Sequence, residues 1–120
     1  MRTGDTSALY ALLHPADRHH AAAMDAMRNP DPVLVPAEVL VELEGLIRFR
    51  SGAATAAHAL EDLLALPNLR VAAGHHWEAT LATYRRHARL SLADAVVVAQ
   101  CLLHDAQPLT FDDAIRDTVP

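Results

Sequence analysis

Three short apolar runs, VLV at 33–35, LRVA at 69–72 and PLTF at 108–111, are each followed by a stretch with helical periodicity. This alternation is the strongest constraint in the chain. Strands that reach one another through a helix pair in parallel, and the connecting helices must cover the sheet's faces. Turn signals punctuate the pattern: HP at 14–15, NPDP at 29–32, SG at 51–52, PN at 67–68, AG at 73–74 and QP at 107–108. The helical stretches are SALYALL, PADRHHAAAMDAMR with proline in its first turn, AEVLVELEGLIRFR, ATAAHALEDLLAL, HWEATLATYRRHA and LADAVVVAQCLLHDA. In the third, Val39, Leu43, Leu46 and Ile47 share an apolar face. A first strand is expected in MRTG, although Thr3 and Gly4 are poor strand material. The pattern predicts an α/β fold with a small, mostly parallel central sheet, organised as one domain over residues 1–120.

Apolar residues make up 52% of the chain but aromatic ones only 4%, which suits alanine-rich helices packed closely on a small sheet. No segment approaches the roughly 20 apolar residues that cross a bilayer, so a cytoplasmic protein without a membrane partner is expected. Cys101 is the only cysteine, which excludes an intrachain disulfide and a thiolate cluster, and its apolar neighbours place it in the core. All ten basic residues are arginine. Without lysine there is no P-loop, no Schiff-base chemistry and no phospho-acceptor switch of the receiver type. The formal charge of −5 argues against broad adhesion to nucleic acid, so any such chemistry must be local.

Four carboxylates stand at comparable places in the alternation. Asp5 follows the first strand, Glu42 lies within the third helical stretch, Asp94 begins the apolar run LADAVVVAQ, and Asp112 follows PLTF. In an open parallel sheet, ligands collect beyond the carboxyl ends of the strands, where Asp5 and Asp112 belong. Each aspartate has a second use as a helix cap: Asp5 ahead of Thr6, Asp112 ahead of Asp113, and Asp94 in a capping box with Ser91. Glu42 has no such role, although Glu38 and Glu44 beside it make a solvated charged face the competing account. If the four converge, two carboxylates about 4 Å apart repel by roughly 4 kcal/mol at an effective dielectric near 20, so protons or cations must occupy the pocket. Oxygen ligands without cysteine favour Mg²⁺ or Mn²⁺ over zinc, and such ions support phosphodiester hydrolysis.

The segments DTSALYALL, VLVELEGLIR and LSLADAVVVAQCLLHDAQPLTFDD, in this order and spacing, resemble the PIN-domain family, in particular the small VapC-type toxins of bacterial toxin–antitoxin pairs. The resemblance covers almost the whole chain. It implies a three-layer α/β fold, a Mg²⁺- or Mn²⁺-dependent ribonuclease activity on RNA, a cognate antitoxin as partner and pairing as a homodimer. It places the family's acids on Asp5, Glu42, Asp94 and Asp112, with Asp5, Asp94 and Asp112 holding the metal and Glu42 as a ligand or water-orienting base. Thr6, Ser7 and Thr110 match hydroxyl positions that support the acids, and Asp113 is a candidate to share the role of Asp112. Arg85, Arg86, Arg89 and Arg48 are candidate RNA-phosphate contacts, with Arg50 beside Arg48. Helix-terminal arginines also suit the helix dipole without any ligand. The competing reading is a catalytically inactive PIN-like module that binds a partner or regulates.

The adjacent histidines His19–His20 and His75–His76 point about 100° apart on a helix and lack the spacing of a zinc helix. The apolar and methionine positions of LYALL and AAAMDAM serve either the core or a groove for a partner helix.

Overall fold

The computed structural model describes residues 1–120. Four parallel strands, β1 (Arg2–Gly4), β2 (Val33–Val35), β3 (Leu69–Val71) and β4 (Gln107–Leu109), form one sheet in the order β3-β2-β1-β4. Seven helices flank it: α1 (Thr6–Leu13), α2 (His20–Arg28), α3 (Ala37–Ser51), α4 (Ala53–Leu64), α5 (Trp77–Arg86), α6 (Leu92–His104) and α7 (Asp113–Thr118). The chain moves outward from β1 to β2 and β3, then returns to the other flank of β1 as β4. That reversal puts the carboxyl ends of β1 and β4 side by side, in register Gly4↔Leu109, where an open α/β sheet binds its ligands.

The weakest strand by sequence is a central strand in space. β1 pairs with β2 through Arg2↔Val33 and Thr3↔Leu34, and with β4 through Arg2↔Gln107 and Thr3↔Pro108. Pairing on both edges outweighs the low strand propensity of Thr3 and Gly4. Gly4 also has a packing reason to be glycine, because a Cβ there would lie 3.3 Å from Val33 Cγ1 and 3.7 Å from Leu9 Cδ2. Arg2 anchors the strand's other end: its guanidinium donates to the carbonyls of Ala26, Asn29 and Asp31, satisfying acceptors left open where α2 stops.

Two expected boundaries move. The helix predicted from Pro15 begins only at His20, because Asp17 Oδ1 accepts the His19 amide at 2.8 Å and the Asp17 carbonyl accepts that of His20, holding residues 15–19 as turns. The last strand ends at Leu109, so Thr110 and Phe111 leave the ladder, and the Thr110 side chain turns to Asp5.

The core is a cluster of buried apolar side chains contributed by every layer, among them Leu9, Val33, Val35, Leu43, Leu63, Val97, Val98 and Ile115. On α3 the expected face holds for Val39, Leu43 and Ile47, which are buried, while Leu46 is only partly covered. Cys101 is buried in the same cluster. α6 is buried continuously from Ala95 to Cys101, which accounts for its long apolar run. No helix is long and apolar enough to cross a membrane.

Candidate active site

Three of the four acids are helix-start residues, and all four line one cleft. Asp5 is the N-cap of α1, its Oδ1 accepting the Ala8 amide at 2.9 Å. Asp112 is the N-cap of α7, its Oδ1 accepting the Ala114 amide at 2.8 Å. Asp94 is the third residue of α6 and completes a capping box, with Asp94 Oδ2 accepting the Ser91 amide at 3.0 Å and Ser91 Oγ accepting the Asp94 amide at 3.1 Å. The same residues therefore both cap their helices and line the cleft. Asp5, Glu42, Asp94 and Asp112 share a cleft of about 260 Å³ with Thr6, Ser7 and the apolar side chains of Val39, Leu46, Ala93 and Val97. The N-termini of α1, α6 and α7 meet there, and their partial positive charge offsets part of the carboxylate repulsion.

Asp5 is the most tightly held. Ser7 Oγ donates to its carboxylate, 2.8 Å from Oδ1 and 3.0 Å from Oδ2, and Thr110 Oγ1 donates to Oδ2 at 2.5 Å. The direction of both bonds is fixed by what the hydroxyls accept. Ser7 Oγ takes the Phe111 amide at 3.0 Å and Thr110 Oγ1 takes the Asp112 amide at 2.9 Å, so each hydroxyl proton is left for Asp5. Two hydroxyls thus tie the acid at the end of β1 to the backbone that carries the acid after β4. Thr6 lines the cleft without a hydrogen bond to Asp5. Arg116, which no sequence pattern singled out, donates to the Thr110 carbonyl at 3.0 Å and holds the same loop from α7.

Burial pushes the Asp5 carboxyl above its ordinary value, and the charge of Asp112 adds to that rise. The hydrogen bonds from Thr110, Ala8 and Ser7 oppose it. No basic side chain lines the cleft. The donor set, carboxylate and hydroxyl oxygens only, is of the kind that suits a hard cation. Asp5 meets three donors with about four lone-pair sites. Asp94 Oδ1, Asp112 Oδ2 and the whole Glu42 carboxylate have no protein partner. The expected convergence is nevertheless incomplete: no three acidic, histidine or cysteine side chains stand close enough to hold an ion between them. One oxygen of Asp94 and one of Asp112 are engaged by the backbone amides of their own helix starts.

The remaining candidates lie outside the cleft. Asp113 is exposed and pairs with Arg116 at 3.6 Å. Arg48 is bound to Glu44 at 2.6 Å, Arg89 to Asp117 at 3.5 Å, and Arg50 stands 5.0 Å over the Tyr10 ring. Arg85 and Arg86 are exposed in the last turn of α5, free of ion pairs, just ahead of the loop that leads to Asp94. Leu12, Leu13, Met24 and Met27 do line a groove with Leu63 and Leu66, rimmed by Arg28 and Asp62.

A parallel sheet with an acid-lined cleft at the carboxyl ends of two adjacent strands defines the class. The sequence profile of the PIN domain matches residues 4–119, and the chain belongs to that family. VapC20 of Mycobacterium tuberculosis, described as a Sarcin-Ricin loop cleaving toxin, superposes with a TM-score of 0.81 at 22% identity, over 98% of this chain and 94% of that one. PAE2754 of Pyrobaculum aerophilum superposes at 0.75 with 16% identity, over 98% and 85%. VapBC2 of Rickettsia felis, solved with a DNA fragment from its promoter, superposes at 0.68 with 10% identity, over 99% and 92%. These likenesses establish the shared fold. No curated protein matches the chain.

Proposed function

We propose that the chain is a divalent-metal-dependent endoribonuclease of the VapC toxin type, acting in the cytoplasm as one domain and restrained by a cognate antitoxin. The observation that carries the reading is the cleft itself: four carboxylates, unpartnered oxygens on three of them, and no basic side chain among its walls. Asp5, Asp94 and Asp112 would close on a Mg²⁺ or Mn²⁺ ion by side-chain rotation from their present spacing, and the ion would supply an activated water and offset charge on the phosphodiester. The protein's own contribution is positional. Ser7 and Thr110 fix Asp5, the same two hydroxyls accept the Phe111 and Asp112 amides and so hold the backbone that carries Asp112, and the capping box fixes Asp94. Glu42, with both oxygens unpartnered, serves as a ligand or as the base that orients water.

RNA as substrate follows from family membership and from the likeness to a toxin that cleaves the Sarcin-Ricin loop. The apolar groove of Leu12, Leu13, Met24 and Met27 suits an apolar helix face of the antitoxin, and self-pairing as a homodimer accords with the same family. The competing reading, an inactive module, would follow if a weak first strand left the site unformed; β1 is paired on both sides.

The test is a Mn²⁺ titration by calorimetry on the wild-type protein and on Asp94→Asn, with far-ultraviolet circular dichroism of both. Binding by the wild type and its loss in a folded Asp94→Asn protein is the expected result. A folded wild-type protein that takes up no ion at millimolar Mn²⁺ and cleaves no RNA would return the acids to the role of caps alone.

A further inference from the structure

The chain has two phenylalanines, and Phe111 is kept out of the buried core. It stands half-buried between Thr110 and Asp112, and its ring lies flat against the His19 imidazole, with centroids 4.3 Å apart and planes 4° from parallel. His19 comes from the turn before α2, so segments from opposite ends of the sequence meet in one stacked pair. The backbone beneath Phe111 is rigid: its amide is held by Ser7 Oγ, the next amide by Thr110 Oγ1, and the preceding carbonyl by Arg116. Asp17 Oδ1 likewise holds the His19 amide. The result is a fixed, partly exposed π surface beside an acid-lined cleft. Unpaired bases stack on phenylalanine and histidine rings wherever single-stranded RNA is bound, and every base can do so because each has a π face.

We propose that the His19–Phe111 pair is a stacking platform for an unpaired RNA base adjoining the phosphodiester in the cleft, a role that rests on the ribonuclease reading. The platform selects for splayed or single-stranded substrate and is tolerant of base identity. It fixes register along the strand, while the acids see only phosphate.

The experiment uses the full chain as Trp77→Phe, Phe111→Trp and Asp94→Asn combined, so that the single indole sits at the platform and cleavage is suppressed. With Mg²⁺ present, the folded protein is titrated with a single-stranded oligoribonucleotide and, separately, with an abasic ribose-phosphate oligomer of equal length. Quenching of the indole by the base-bearing oligomer alone, with roughly five- to hundredfold tighter binding than the abasic one, is expected. A second protein, Phe111→Leu with Asp94→Asn, should bind both oligomers alike. Equal affinities and no quenching in the indole protein overturn the platform and leave the ribonuclease reading standing. Failure of the folded protein to bind either oligomer overturns the platform, and the ribonuclease reading is then decided by Mn²⁺ uptake and RNA cleavage in the wild type.

Discussion

Asp94 divides two duties between its two oxygens. Oδ2 accepts the Ser91 amide and closes the start of α6, while Oδ1 has no protein partner on a residue that lines the cleft. Asparagine keeps an acceptor for Ser91 and loses the charge; alanine loses both. Asp94→Asn should therefore stay within about 0.5 kcal/mol of the wild type by urea denaturation, whereas Asp94→Ala should cost about 1 kcal/mol, because the Ser91 amide loses its acceptor. Both should lose Mn²⁺ binding in calorimetry. Asp5 makes a different prediction, because its folded pKa lies above the ordinary 3.8 through burial. A carboxyl with a raised folded pKa favours the folded state most when protonated. Its stabilising contribution is complete below the unfolded value and is lost as pH rises through the folded one. In chelator, the denaturation midpoint should lose this contribution with pH over that window, and Asp5→Asn should abolish that component. Divalent ion should restore stability above the window by replacing the proton.

At the scale of elements, the Ser7 and Thr110 hydroxyls join β1 and α1 to the loop between β4 and α7. Thr110→Val keeps the shape, removes the bond to Asp5 Oδ2 and leaves the Asp112 amide without its acceptor. A loss of about 1–3 kcal/mol in urea denaturation is expected, together with weaker Mn²⁺ binding, since Asp112 is no longer held against Asp5. An unchanged metal affinity would mean that the loop is fixed without this bond. Most elements were legible from periodicity and turns, β2 and β3 to within a residue and α3 over nearly its whole length. The misses share one cause, which is a polar side chain taking a partner that competes with the regular element, nearby for Asp17 and across the sheet for Thr110. Asp17 captured the backbone that Pro15 should have started as helix, and Thr110 left β4 for Asp5 across the sheet. Nothing local marks Arg2 as the anchor of α2, twenty-four residues away, or His19 as the neighbour of Phe111. The four acids could be placed at one end of the fold from pattern and family resemblance. Their individual oxygens could not, because each depends on which backbone amides the finished helices present.

Across the whole molecule, negative charge gathers in the cleft and positive charge is mostly spoken for. Arg28, Arg48, Arg89 and Arg116 each face an acid, and Arg2 is turned onto backbone carbonyls. Arg85 and Arg86 remain exposed and unpaired, close in sequence to Asp94. Replacing both with glutamine should raise KM for RNA several-fold with kcat nearly constant, whereas Arg48→Gln should leave KM unchanged. Steady-state cleavage at fixed salt distinguishes the two. The placing of Asp5, Asp94 and Asp112 at helix starts also has a genetic consequence. A single G-to-A transition turns an aspartate codon into an asparagine codon, and asparagine is among the best cap residues. On the proposed ribonuclease reading, one base change would therefore disarm the protein while leaving it folded at Asp112, an N-cap, and at Asp94, where asparagine keeps an acceptor for the Ser91 amide. Among survivors selected against a lethal dose of such a nuclease, these two codons should be recurrent targets, and the disarmed chains should still accumulate in the cell.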